Sequence, residues 1–532
     1  MNRKRVLFVG LDAADADLID RWCLEGVLPN ISRMKAQGTS FRMKTTAEIF
    51  HVSAWPSMFT GTTPDEHGLY HAYVTRPGHQ GVLRPRPDQN PLPFFWKLLS
   101  EHGKRSVVMD AFLTCPVQDF NGTQIVDWGT WSWFWEPTML PGSLKREIAR
   151  KFGPYPSDDH SKVGITPVTD IEGFRARLLA AVTRKTEIVK WLIDREDWDL
   201  FLVVFSESHP AGHYFWHLHD PSYLTHPEGG AGALAHALRD VYAALDDAIG
   251  TLLGSVDGNT TVFLVSGDGM GPNYSGAHLL PQMLVRMGAL STSAADAGER
   301  PAGAATTGRR DLLRTVRDLV PQPIRIAISE AFLSRHTQEQ LALRWKTAGI
   351  SWPETRVYVI ENANEGYLRV NLTGREPQGC VAPGREYEEI CDELCRTARA
   401  MVNPVNGKPC ARAVYKTSEI CAGSFRSHLP DVVITWDPEA KVTTELLTDK
   451  YGLVRAREPS CGVSPFYSGN HWPNAFAVAV GPEVPRGVTL ETQNILDVAP
   501  TILSRFGIDA PSHMKGRILN EFRAAAAGPS PD

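Results

Sequence analysis

Residues 199–220 read DLFLVVFSESHPAGHYFWHLHD, an apolar run that stops at Ser206-Glu207-Ser208-His209 and passes directly into a helical pattern. Leu200 to Phe205 has the length of a buried strand and falls far short of the roughly 20 apolar residues that cross a bilayer. Pro210 fits the first turn of a helix, where its missing N–H costs nothing. Two other runs end in the same way: Arg5–Leu11 meets Asp12, and Thr260–Val265 meets Ser266-Gly267-Asp268-Gly269. Such strands alternating with amphipathic helices predict a mainly parallel sheet covered on both faces. Ligands of these sheets bind beyond the carboxyl ends of the strands, so polar residues after three separate strands converge on one crevice.

Outward from these strands, a helix is expected around Ala14–Arg21 and a second from Leu28-Pro29-Asn30. Residues 286–350 change character: Ala, Gly, Ser and Thr dominate Ala289–Thr307, and Arg309–Lys346 reads as basic amphipathic helix. Strand-rich sequence resumes with Arg356–Ile360 and Gly366–Val370, a helix near Tyr387–Val402, then Asp431–Trp436, Ala475–Val480 and a helix at Val498–Phe506. The expected division is a core part over 1–285, a helical insertion or lid over 286–350, the rest of the core over 351–523 and a disordered tail over 524–532.

Composition removes several function classes. The 532 residues carry 55 Lys plus Arg against 60 Asp plus Glu, a net charge of -5, so no basic field recruits a nucleic acid polymer or an anionic membrane. No run is long enough for a membrane span, and MNRKRVLFVGLDAAD reads as a first strand rather than a signal peptide. Eight scattered cysteines form no disulfide framework, which predicts a soluble, cytoplasmic protein. Cys391 and Cys395 stand four apart on a helical segment without a second pair, and are read as buried thiols.

Four segments carry residues suited to chemistry. His209 and His213 stand one helical turn apart, a spacing at which two imidazoles can share a metal ion; His217 continues that face and His219 leaves it. Asp12 and Asp268 follow strands, where a buried carboxylate needs a cation or hydrogen-bond donors. In Thr45–Gly68, TTAEIFHVSAWPSMFTGTTPDEHG, a short helix through Ser53–Phe59 has His51 at its mouth, with Ser53 and Ser57 as hydroxyl candidates and Pro64–Gly68 as a turn. Ser468-Gly469-Asn470-His471 adds a loop histidine before Ala475–Val480. The aromatic cluster Trp128, Trp131, Trp133, Phe134 and Trp135 reads as packing, with stacking on a flat ligand as the alternative.

Together VLFVGLDAAD, LPNISRMKAQG, SAWPSMFTGTTPDEHG, HPAGHYFWHLHD, VSGDGMGP, GYLRVNLTGREPQG, LPDVVITWD, SGNHWPNAFAVAVGP and DVAPTILSRFGIDAP with MKGR resemble the alkaline phosphatase superfamily, in its type I phosphodiesterase and nucleotide pyrophosphatase branch. The resemblance implies an α/β/α sandwich and a two-metal site with a Ser or Thr nucleophile that cleaves phosphate esters. Carried over by position, Asp12 matches a metal-binding aspartate, and His213 and His471 match metal-binding histidines. Elsewhere the chain departs from the pattern. His209 stands where an Asp is usual, Gly267-Asp268-Gly269 where Asp-His-Gly is usual, and His51 where the nucleophile is usual. Arg375, Glu376 and Arg517 belong to segments that resemble structural hallmarks and receive no catalytic role.

Most of these replacements are themselves capable of binding metal, which implies a rebuilt site: His209, His213 and His471 as a three-imidazole set, with Asp12 and Asp268 as a second, weaker set to which His51 adds a ligand. One or two divalent ions are expected, Zn first, with Mn or Fe(II) as alternatives. The leading expectation is metal-dependent hydrolysis or transfer of a phosphoryl or nucleotidyl group on a small phosphorylated substrate, with His51 as nucleophile, base or ligand. Two alternatives stand beside it: a different group transfer at the three-histidine site, and a non-catalytic ligand-binding protein on the same fold.

Overall fold

In a computed structural model of the chain, the described residues are 3–85, 88, 90–130, 137–157, 168, 170–292, 349–456 and 467–522. Residues 293–348 of the expected helical insertion, the expected tail, most of the aromatic cluster (Trp131, Trp133, Phe134 and Trp135) and Cys461 therefore lie outside the described residues, while Ala289 and Leu290 at the insertion's start pack into the core beside the second sheet.

Strands β1 (Arg5–Leu11), β2 (Thr39–Lys44), β3 (Ser106–Met109), β4 (Gly122–Val126), β5 (Thr138–Leu140), β6 (Leu200–Phe205) and β7 (Thr260–Ser266) lie in the first half of the chain. The small hairpin strand β8 (Gly269–Pro272) follows. The second half supplies β9 (Val357–Ile360), β10 (Gly366–Val370), β11 (Ala411–Lys416), β12 (Val432–Trp436), β13 (Glu445–Thr448), β14 (Gly452–Arg455), β15 (Gly469–Trp472), β16 (Ala475–Val480), β17 (Val488–Thr489) and β18 (Gln493–Asn494). Ten of them form one sheet in the order β17-β2-β16-β7-β1-β6-β3-β4-β5, with β18 also on β2. Around β1 the pairing is parallel, whereas β16 and β5 run antiparallel to their neighbours.

The period of two along β1 divides the core between the two faces of the sheet. Leu7, Val9 and Leu11 pack with Ile19, Leu178, Phe215 and Leu245, from helices Ala16–Leu24, Ile171–Arg195, Ser208–His219 and Ala237–Leu253. Val6 and Phe8 pack with Met58, Phe95 and Ile502, from helices Ala54–Thr60, Phe95–Glu101 and Val498–Arg505 on the other face. Burial on both faces explains why β6 is apolar at every position. The result is the α/β/α sandwich with a mainly parallel sheet.

A second, antiparallel sheet β11-β12-β10-β9 packs on helices Leu280–Arg286 and Arg385–Arg399. Cys391 and Cys395 lie on the buried face of the latter beside Leu394 and Ala398, and burial pushes the Cys391 thiol up to about 12. Pro64–Gly68, read as a turn, is a single helical turn over Pro64–His67. Among the described residues no helix is long and apolar enough to cross a membrane.

Candidate functional site

The parallel register sets Leu11 of β1 opposite Phe205 of β6, and Gly10 opposite Val265 of β7. Asp12, the Ser206–His209 turn and Asp268 are thereby delivered to one end of three neighbouring strands. With β6 and β7 flanking β1, this end is the switch point of the sheet. The hairpin β8/β15 then brings in the C-terminal histidine, since His471 pairs with Met270, two residues after Asp268.

His209, His213 and His471 converge, their ligand atoms all within 4.8 Å of one another. His209 Nε2 lies 2.9 Å from His213 Nε2 and 3.1 Å from His471 Nε2. The opposite nitrogen of each ring meets an oxygen. His209 Nδ1 lies 3.2 Å from Asp12 Oδ2, His213 Nδ1 is 2.8 Å from the Gly469 carbonyl, and His471 Nδ1 is 2.6 Å from Asp268 Oδ2. With protons on Nδ1, three Nε2 lone pairs face one another. The contacts are close to the edge of about 3.3 Å expected for nitrogens around one tetrahedral zinc. Oxygen acceptors on the far nitrogen are also what fixes the tautomer of metal-binding imidazoles.

Local sequence explains the geometry. Gly469 is required by close approach, since a Cβ there would stand 2.1 Å from the Gly212 carbonyl; the tight contact carries the Gly469 carbonyl to His213. Tyr467 stacks on the His213 ring at 4.2 Å and 17°. Gly10 leaves room for Trp55, whose indole N–H donates to Asp12 Oδ1 at 2.7 Å. Both oxygens of Asp12 are thus engaged, one by Trp55 and one by His209.

The charge balance points the same way. Burial holds His213 and His471 well below the ordinary imidazole value, with the neighbouring imidazoles adding to the effect. Burial, then Asp12, drives the Asp268 carboxyl well above its ordinary value, and burial pushes Asp15 beside it up to about 6. Among the described residues no Lys or Arg stands within ion-pair distance of Asp12, Asp15 or Asp268, and a divalent cation at the Nε2 atoms completes such a set. These residues fit one metal ion.

The expected second set is arranged differently. Asp12 and Asp268 face histidine Nδ1 atoms rather than a shared vacancy of their own. A Cβ at Gly267 would lie 3.1 Å from Ala54 Cβ and 3.6 Å from Ile495, so this position looks into apolar packing. His51 touches this group through its ring face without joining the cluster of ligand atoms. Its Nδ1 lies 2.8 Å from Glu365 Oε2, its backbone N–H donates to Glu365 Oε1 at 3.2 Å, and its ring stacks on His471 at 4.5 Å and 29°. With the proton on Nδ1, Nε2 carries the lone pair. Ser53 and Ser57 are fully buried and engaged elsewhere, Ser53 Oγ with the Phe50 carbonyl at 2.6 Å and Ser57 Oγ with His67 Nε2 at 3.0 Å.

Glu365 escaped the sequence reading. Burial alone would raise its carboxyl, yet the His51 ring and the Asn362 amide hold it below its ordinary value. Asn362 donates to Oε2 at 2.6 Å and Asn364 to Oε1 at 3.0 Å. The available signal was the polar run Glu361-Asn362-Ala363-Asn364-Glu365 directly before β10. His71, 5.9 Å from the His51 ring, was also missed. His217 turns to Ser468 Oγ at 3.0 Å and leaves the site. Trp128 packs edge-on against Tyr155. Arg375 pairs with Asp431, and Arg517 donates to Asp497 and Gln493.

A family model described as Type I phosphodiesterase / nucleotide pyrophosphatase matches residues 6–460. The span holds Asp12, His51, His209, His213, Asp268 and Glu365, while His471 lies beyond its end. Murine ectonucleotide pyrophosphatase/phosphodiesterase 5 is similar over 96% of this chain and 97% of that chain, at 12% identity and a TM-score of 0.49. The same murine protein, as an inactive variant in complex with AMP, gives 12% identity over 96% of each chain and a TM-score of 0.48. The human protein of that name gives 12% identity over 96% and 97%, with a TM-score of 0.47. A comparison with curated proteins gives no match.

Proposed function

We propose, from the premise that the chain belongs to the type I phosphodiesterase / nucleotide pyrophosphatase family, that it hydrolyses or transfers a phosphoryl or nucleotidyl group of a small phosphorylated substrate in the cytoplasm. The observation that carries this reading is the convergence of three imidazole Nε2 atoms beside a His51–Glu365 pair. His209, His213 and His471 would hold one divalent ion, zinc first, whose chemistry when bound is to polarise phosphoryl oxygens and offset developing charge. Asp12, Asp268 and the Gly469 carbonyl orient the three rings. The seven described cysteines are free thiols, in keeping with a reducing compartment.

His51 is the reacting side chain in this reading. Glu365 holds its Nδ1–H, so Nε2 offers an electron pair to phosphorus. The N–P bond forms as the P–O bond to the leaving group breaks, and the leaving oxygen takes its proton from solvent. Positive charge on the imidazole is balanced by the Glu365 carboxylate. Water, or an acceptor alcohol in a transfer, then attacks phosphorus and returns the electron pair to Nε2. The test is turnover of p-nitrophenyl phosphodiesters by zinc-loaded protein, with rapid quenching to trap an acid-labile phosphoryl group on His51. Loss of turnover and of the adduct in His51→Ala supports the reading. Near-normal turnover in that variant removes His51 from the mechanism, and ligand binding without turnover by the metal-loaded wild type returns the non-catalytic reading.

A further inference from the structure

A cleft beside the histidines is lined by Glu365 and His471 together with residues that the chemistry above leaves unused. Its walls include Glu48, Glu365, Arg412, Trp436, His471 and Trp472. Arg412 comes from β11 and Trp436 from β12 of the second sheet, and Trp472 follows His471 on β15, so the cleft opens directly onto the reacting end of the main sheet. The Arg412 guanidinium lies over the Trp472 ring, 4.5 Å from its centroid. It is exposed, and among the described residues no carboxylate stands within ion-pair distance of it. The carboxylates in the cleft are already engaged: Glu48 accepts from the Tyr415 hydroxyl at 3.3 Å, and Glu365 is held by His51. Of the described residues lining the cleft, Arg412 alone carries a permanent positive charge. Trp436, 6% exposed, packs its ring against Gly276 and Gly366 and forms the rigid floor on which this wall of the cleft stands.

A stacked guanidinium keeps its planar fork of donors fixed and only partly hydrated, the state in which arginine best recognises a carboxylate or phosphate. We propose that this cleft is a subsite for a second anionic group of the substrate, a terminal phosphate or carboxylate separate from the phosphoryl group at His51. Arg412 reads its charge and Trp472 fixes the guanidinium plane. The inference rests on the phosphoryl-transfer reading for which end of the substrate lies at His51, and it narrows the substrate class to phosphoesters or phosphoanhydrides whose remaining part carries its own negative charge.

The test is calorimetric binding to zinc-loaded full-length protein of three phosphonates in which a P–C bond replaces the scissile P–O bond. They share one reacting end and differ in the tail: a neutral methyl, a carboxylate or a terminal phosphate. The wild type is expected to bind at least one charged-tail compound about ten- to hundredfold tighter than the neutral one. Which of the two it prefers identifies the source of the anionic group. Arg412→Gln is expected to bring that ratio to near one, Arg412→Lys to restore part of it, and Trp472→Leu to reduce it without abolishing it. Equal affinity for charged and neutral tails in the wild type, or a ratio unchanged in Arg412→Gln, overturns the proposal. Because binding is read rather than turnover, the two readings fail separately. An Arg412-dependent preference in a protein that turns over no ester sustains the subsite and removes the catalytic reading.

Discussion

Two groups of histidines stand side by side at the ends of the strands, and they differ in what their Nε2 atoms face. In His209, His213 and His471 every Nδ1 is fixed by an oxygen and every Nε2 is turned on the other rings. His51 has the same kind of support, a carboxylate on Nδ1, but its ring stacks on the face of His471 instead of joining the three. Under the proposed function the same side chain with the same support serves two purposes, decided by the element that presents it. Histidines from the Ser208–His219 helix and β15 close around a point, whereas His51, on the short turn before the Ala54–Thr60 helix, is the side chain that the proposed function gives to the substrate. The contrast teaches that carboxylates read from sequence as ligands can serve instead to orient ligands.

Breaking the first group has the largest expected effect. His213→Ala should lower bound metal from one equivalent to under about a tenth and turnover by about a thousandfold or more, read by elemental analysis and initial rates. His51→Ala should reduce kcat by about a thousandfold while leaving the metal in place, and equal loss of metal in that variant would merge the two groups into one. Glu365→Gln keeps the shape of the His51 support and removes its charge, for an expected loss of about ten- to hundredfold in kcat.

That substitution also has a pH signature. The Glu365 carboxyl is held below its ordinary value of 4.5, so its contribution to stability is fully present above that value and is lost as pH falls through the lowered one. The stability difference between wild type and Glu365→Gln, read from urea midpoints, should shrink on acidification below the ordinary carboxylate range. A difference that is flat with pH would remove the charge from the account.

Asp268→Asn should weaken metal binding by about ten- to hundredfold without emptying the site at saturating metal, as expected when a group orients a ligand rather than binding the ion itself. The smallest effect sharpens the comparison from the other side. Gly267→Asp restores a carboxylate at a position where Ala54 Cβ would be 3.1 Å from the new Cβ. It should cost about 1–3 kcal/mol of stability, read as a lowered urea midpoint, and add no second metal.

Much of the fold was legible because strands buried on both faces announce themselves as continuous apolar runs, as in Leu200–Phe205. His209 and His213 were legible for a similarly local reason, one helical turn after a strand end. His471 stood out only as a loop histidine before a strand, and its place with the other two came from a resemblance over the whole chain. The partners of Asp12 and Asp268 were not legible, because a residue after a strand is placed by spacing but aimed by its neighbours, here Trp55 and the imidazoles. Glu365 was out of reach for the same reason: it meets His51 across 314 residues of chain and from a different sheet.

The central claim is that three histidines hold one ion while His51 stays outside the set. Elemental mass spectrometry of protein purified without chelator or a histidine tag, reconstituted in turn with Zn, Mn and Fe(II), tests it most directly. The account predicts one metal per chain, retained in His51→Ala and lost in His213→Ala. Two metals per chain, or none with any of the three ions, would contradict it.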